Sequence, residues 1–256
     1  ALGGRPLPDQ YSPELSLFVL DAGGQLLEGQ RAELLYLSLS DFVQHAHAPG
    51  APESDDFIRA VDERMARLMA AGALVAFVAD HGMTDLSLAD GRPSIIFLGE
   101  LLDRRFGTGR LKVICPITDP FVRHHGSLGG FVRVHVLDGL DPVTVRDYLA
   151  GIPGIQHALL REDACRILDL PPEREGDVAV IGAKGVALGT KREEHRLDQL
   201  AGARLRSHGS LAERDVPFAL SAPLSADYRR RAAAGPLHNY DIFDFALNGV
   251  VDGDGR

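Results

Sequence analysis

The stretch Ala73-Leu-Val-Ala-Phe-Val-Ala-Asp80-His81-Gly82-Met83 is an apolar run that leads directly into two metal-ligating residue types and a glycine. Short runs rich in Val, Leu and Phe, bounded by polar or Gly residues, suit strands buried on both faces, as in a parallel sheet. Upstream of it, Phe57, Ile58, Val61, Met65 and Leu68 recur at three- and four-residue spacing, which predicts a helix over Asp55–Ala71. Ser54 is the expected N-cap, after Pro52, and Gly72 the expected C-terminal stop. A second apolar run, Leu34–Leu39, precedes that helix, so strand, crossover helix and strand form a βαβ unit. Leu15–Leu20 and Ser94–Leu98 read as further strands of the same kind.

The texture changes between residues 111 and 205. Gly129–Leu137 alternates as a half-buried strand, Val143–Leu149 reads as a short helix, and Asp177–Leu188 as a strand pair around Gly182 and Gly185. Val216–Leu220 and Tyr240–Asn248 then return to sheet and helix character. The expected fold is α/β: a three-layer sandwich around a mainly parallel sheet, built from residues 1–110 and 206–256, with an α+β cap inserted at 111–205.

The 256 residues suffice for one substantial domain with an insertion, or for two small ones. A net charge of -9 argues against a nucleic-acid surface, which needs a basic face. It leaves room for a small anionic substrate, because a bound cation can dominate the field of a pocket. The two cysteines, Cys115 and Cys165, form no CxxC motif and read as core filler, which makes a reducing cytoplasm the expected location. No run reaches the apolar length of a membrane span, and no basic-then-apolar leader opens the chain. The chain starts on Ala1 rather than Met, as with a processed terminus or with sequence upstream.

Three groups of residues carry chemistry. Asp41 ends the Leu34–Leu39 run, at the carboxyl end of an expected strand, where open α/β sheets bind ligands. If the chain turns helical there, four-residue spacing puts His45 on the same face, and a carboxylate with an imidazole suits zinc or a similar divalent ion. A helix-capping Asp followed by a surface His accounts for the same spacing. Asp80 and His81 follow a strand, and Gly82 permits the sharp turn that two adjacent ligands to one metal require. A strand-ending Asp that caps the next element is the plainer alternative. His208, in Arg206-Ser-His-Gly-Ser210, stands in a turn able to return an imidazole to the sheet, or to leave it exposed. His47 competes with His45 as a ligand, although Ala48-Pro49-Gly50 already places it in a turn.

Asp-x-x-x-His, then Asp-His-Gly-Met after a strand, then a distant Ser-His-Gly, resembles the ligand order of the alkaline phosphatase superfamily, which includes nucleotide pyrophosphatases and phosphodiesterases. Leu35-Tyr-Leu-Ser-Leu-Ser-Asp41-Phe-Val-Gln-His45, Ile114-Cys-Pro-Ile-Thr-Asp-Pro120, His124-His-Gly-Ser-Leu-Gly129 and Asn239-Tyr-Asp-Ile-Phe-Asp-Phe-Ala-Leu-Asn248 narrow the resemblance to the phosphonoacetate hydrolases. The resemblance implies two zinc ions, one held by Asp41, His45 and His208, the other in part by Asp80 and His81. It also implies a small anionic phosphonate cleaved to acetate and phosphate by a metal-bound Thr nucleophile, for which His45 and Arg123 are candidate substrate contacts, although a lone basic residue such as Arg123 is more often simply solvated. His124 and His125 could line the pocket or orient ligands. A homo-oligomer is compatible with all of this.

The chain departs from that pattern in two places. The family's N-terminal Asp and nucleophilic Thr belong upstream of Asp41, and Ser12, Ser16, Ser38 and Ser40, the hydroxyls there, do not match the Thr position. Thr84-Asp85-Leu86-Ser87 is neutral to acidic where the resemblance implies lysines, which leaves Arg123, Lys184 and Lys191 as candidate cations. Two rival functions follow: a phosphodiesterase with the same ligands, and a non-catalytic metal-binding chain that lacks the nucleophile.

Overall fold

Proline sets the start of both long helices in the first part of the chain, because its fixed φ suits the first helical turn, where no N–H partner is needed. The structure, a computed structural model, describes residues 4–29, 32–117, 127–200 and 202–251. In chain order its main elements begin with α1 (Pro13–Glu28), α2 (Phe42–Ala46), α3 (Pro52–Ala70), β1 (Ala76–Val78), β2 (Thr84–Asp85), β3 (Ile95–Phe97) and α4 (Leu98–Phe106). They continue with β4 (Leu111–Ile114), β5 (Phe131–Val136), α5 (Pro142–Ala150), β6 (Ile155–Leu160), α6 (Arg161–Leu168), β7 (Val178–Gly182) and β8 (Ala187–Gly189). The last are β9 (Arg206–Ser207), β10 (Phe218–Leu220), α7 (Ala226–Ala234) and α8 (Asp241–Asn248). Two units result, Ala1–Asp80 with Asp215–Arg256, and His81–Arg214. The expected cap boundaries at 111 and 205 fall inside the second unit.

In the first unit α1 packs on α3, and Leu20, Val43, Phe57, Val61 and Leu68 form its core. Helix α3 begins with Pro52 after Ala51, one turn ahead of the expected Ser54 cap, and it ends before Gly72 at φ +91°. Ile58, expected on the apolar stripe, is 54% exposed. Leu15–Leu20 is helical rather than a strand. Pro13 starts α1, and Ser16, Leu20 and Gly23 are buried at the three- and four-residue intervals of a helix face. A side chain on Gly23 would run into Leu37, so the glycine lets residues 34–39 lie close against the helix.

Residues 34–40 form neither helix nor strand, and no described residue pairs with them in a ladder. Leu37 and Leu39 pack on the core, whereas Leu34 and Tyr36 are 65% and 76% exposed. Strand β1 pairs antiparallel with β10, so the expected βαβ pairing is replaced by a partner far along the chain. Behind that ladder, fully buried Phe245 of α8 meets Phe218 and Tyr228 edge-on, at 5.2 and 5.0 Å between ring centroids.

The second unit holds the antiparallel sheet β4-β5-β7-β6. Val132 and Val134 of β5 and Val178 and Val180 of β7 pack with Leu98 and Leu102 of α4 and Val145 and Leu149 of α5. Asp177–Leu188 does contain two strands, but they do not pair with each other: β7 lies between β5 and β6, and β8 runs parallel to β3. That β3–β8 pair is the only parallel ladder among the described residues, so the mainly parallel sheet expected from the apolar runs is not what these ladders form. Periodicity reports which side chains are buried, not which strand lies alongside. Cys115 and Cys165 are unpaired thiols, and burial pushes the Cys115 thiol up to about 11. No helix among the described residues is long and apolar enough to cross a membrane.

Phe245→Ala removes the ring around which Phe218 and Tyr228 pack. The expected loss is about 3–5 kcal/mol of unfolding free energy in a urea titration.

Candidate functional site

Asp41 stands at the N-cap of α2. The His45 N–H donates to the Asp41 carbonyl at 3.1 Å, a helical turn that brings His45 Nε2 to 3.1 Å from Asp41 Oδ2. The four-residue spacing therefore gives the shared face expected of it. His45 is fully buried, while the Asp41 side chain is 26% exposed. His47 lies beyond the helix in extended backbone, with Nδ1 3.6 Å from Glu53. Asp80, exposed, follows β1 at the end of the same unit.

In the second unit His81 Nδ1 lies 3.0 Å from the Gly82 carbonyl. A carbonyl can only accept, so the ring nitrogen donates in this contact. The His81 and His208 rings are stacked, with centroids 3.5 Å apart and planes 10° from parallel.

The stack has a local cause. The antiparallel pairs Thr84 with Ser207 and Asp85 with Arg206 clip together the segments that follow His81 and precede His208. Asp85 also pairs with Arg204 across this clip and accepts from Ser87 N–H at 2.9 Å. Burial raises the Asp85 pKa, but Ser87 and the Arg204 guanidinium outweigh it and hold the carboxyl below the usual range. The acidic residue found where lysines were expected is thus a structural partner.

The backbone beyond His208 crosses Gly129 and Gly130 closely. Gly130 N–H donates to the His208 carbonyl at 2.8 Å, and a Cβ on Gly130 would lie 2.6 Å from Ser210 N. His208 and Gly209 also line an apolar cleft of about 300 Å³ with Ile117, Phe131 and Arg133. Arg133 donates through Nε to buried Glu175 at 2.9 Å.

Arg123, His124 and His125 lie outside the described residues. Lys184 is exposed, and Lys191 is 2.7 Å from Asp103. His195, which sequence reading left aside, is buried and accepts from the Thr190 N–H at 3.0 Å. Glu213 and Arg133 were also missed. The Ser210-Leu-Ala-Glu213 spacing, a capping-box pattern, was the available signal for Glu213.

Comparison with known proteins gives the class first. Residues 16–165, more than half of the chain, match the family of type I phosphodiesterases / nucleotide pyrophosphatases, and the chain belongs to that family. Its α/β fold is that of the phosphodiesterase and alkaline phosphatase superfamily. Among solved structures, phosphonoacetate hydrolase from Sinorhizobium meliloti 1021 in complex with phosphonoformate is 39% identical, with a TM-score of 0.85; the match covers 98% of this chain and 59% of that one. The same enzyme in complex with phosphonoacetate matches with a TM-score of 0.84. Murine ectonucleotide pyrophosphatase / phosphodiesterase 5, at 18% identity and a TM-score of 0.55 over 86% of this chain and 55% of that one, shares the fold. The chain thus spans about 59% of the length of the phosphonoacetate hydrolase it resembles.

Two outcomes test this local structure. Asp85→Asn should destabilise the chain at neutral pH. Because the folded-state pKa is depressed, the parent's advantage should persist above the ordinary carboxylate range and close as pH falls through the folded value, read from urea midpoints across a pH series. Gly130→Ala should cost about 1–3 kcal/mol by forcing the Ser210 backbone away, measured by chemical denaturation.

Proposed function

We propose that this chain supplies metal-holding residues of a two-zinc hydrolase that cleaves the carbon–phosphorus bond of phosphonoacetate to acetate and phosphate. The observation that carries this reading is the 39% identity to phosphonoacetate hydrolase across 98% of the chain. Asp41, His45 and His208 would hold one zinc, and Asp80 and His81 would contribute to the other. The donor chemistry fits, since carboxylates and neutral imidazoles are zinc ligands. Bound zinc would supply Lewis-acid stabilisation of charge on the phosphoryl oxygens and on a poor carbon leaving group.

The remaining roles fall to this chain's side chains. Arg133 offers the cleft beside His208 a guanidinium anchored at Nε, a geometry suited to carboxylate or phosphonate oxygens. His45 and Arg123 are proposed substrate contacts. The nucleophilic Thr and N-terminal Asp have no counterpart in the residues before Asp41, so turnover is proposed for a polypeptide that supplies them, together with the larger, mainly parallel sheet. A cytoplasmic location goes with this reading. The matched family's name favours a second one, hydrolysis of a phosphodiester or pyrophosphate by the same residues.

Calorimetry on the zinc-loaded chain separates the two. The expected result is binding of phosphonoacetate in preference to a nitrophenyl phosphodiester, with His208→Ala lowering bound zinc by about one per chain. Preference for the diester would overturn the substrate assignment, and unchanged zinc content would overturn the ligand assignment.

A further inference from the structure

Glu213 touches both histidine-bearing segments of the second unit. Its backbone carbonyl accepts from the Gly82 N–H at 2.7 Å, immediately after His81. Its carboxylate Oε2 accepts from the Ser210 N–H at 2.7 Å, two residues after His208. The residue is only 4% exposed, and its second oxygen, Oε1, has no hydrogen-bond partner among the described residues. Burying a carboxylate with one oxygen unmatched is unfavourable, and a surface turn has no need of it. The contact with Gly82 is also tight: a Cβ there would lie 3.3 Å from both Glu213 Cα and its carbonyl oxygen.

We infer that Glu213 is a positioning residue for the metal pair, fixing the His81 and His208 segments against each other so that both imidazoles are presented together. This rests on the two-metal reading above. The backbone carbonyl does its share whatever the side chain. The carboxylate does the rest, by holding the Ser210 N–H and so the turn that carries His208. Ser210 Oγ makes a different contribution: it accepts from the Ala212 N–H at 3.1 Å and stabilises the turn without reaching the His81 segment.

The test is cobalt(II) titration of the metal-free full chain, followed by its visible absorption, in parallel with histidine-selective NMR of the same metal-free chain. Glu213→Ala should weaken cobalt binding about 10–100-fold. It should also shift the His81 and His208 ring protons, upfield in the parent because each lies over the other ring, toward ordinary histidine positions. Glu213→Gln, which still accepts from Ser210 N–H, should restore both readouts to within a few-fold of the parent. Ser210→Ala keeps that N–H and should weaken the turn while leaving cobalt affinity within a few-fold. If the alanine variant does not fold, Glu213→Asp, too short by one methylene to reach Ser210, provides the same contrast with glutamine. Retention of parental cobalt affinity and ring shifts in the alanine or aspartate variant would overturn the inference, as would failure of glutamine to restore them. A parent that binds no cobalt would refute the metal reading instead, and the ring shifts would still decide the role of Glu213.

Discussion

The two residue pairs that join Thr84 to Ser207 and Asp85 to Arg206 govern the geometry of the second unit's histidines. His81 lies three residues before this clip and His208 one residue after it, so neither ring has much chain through which to wander. So short a ladder has little strength of its own. Leu86 N–H donates to the Leu205 carbonyl at 2.8 Å, and Leu205 N–H donates to Ser87 Oγ at 2.9 Å, which extends the join at one end. Arg204 and Asp85 reinforce it with charge, and fully buried Leu86 and Leu205 seal it with apolar surface. The stacked imidazoles are the outcome of a join made by neighbours that carry no metal chemistry.

Charge is used economically around this region. On the proposed reading, a chain of net charge -9 would have to attract a small anion locally, and several cations of the second unit are already committed to carboxylates. Lys191 faces Asp103, Arg204 faces Asp85, and Arg161 faces Asp177. Arg133 is held by Glu175 through Nε, with its ring-facing side over Phe131. Pairing of this kind fixes where a guanidinium points, at the cost of part of its charge. The strongest attraction available to an anion would then come from bound cations, consistent with a sequence whose clearest motifs are ligands rather than lysines.

Local geometry was legible in the sequence and long-range pairing was not. Asp41 and His45 meet because a helical turn follows Asp41, which the spacing states directly. Helix α3 was readable from its apolar stripe, and β5 from its alternation. Leu15–Leu20 was misread because a short apolar run fits a buried helix as well as a strand, and Pro13 settles the matter only once its place at the first turn is known. Strands β1 and β10 lie some 140 residues apart in the chain, and nothing in either run names the other. The role of Glu213 was hidden for the same reason: its capping pattern is local, but its carbonyl contact with Gly82 joins segments 131 residues apart, 213 less 82.

Gly129 and Gly130 close the text His-His-Gly-Ser-Leu-Gly-Gly, which looks like a catalytic signature. What the structure shows at those two positions is an exclusion: the His208 carbonyl and the Ser210 backbone pass so near that the chain has room for hydrogen and for nothing larger. Substitution at either would be disfavoured, and that sensitivity alone could be mistaken for chemistry. They hold none. Intolerance there measures how closely two backbones must cross for an imidazole to stay in place, so essentiality and reactivity are separate properties along this one short run.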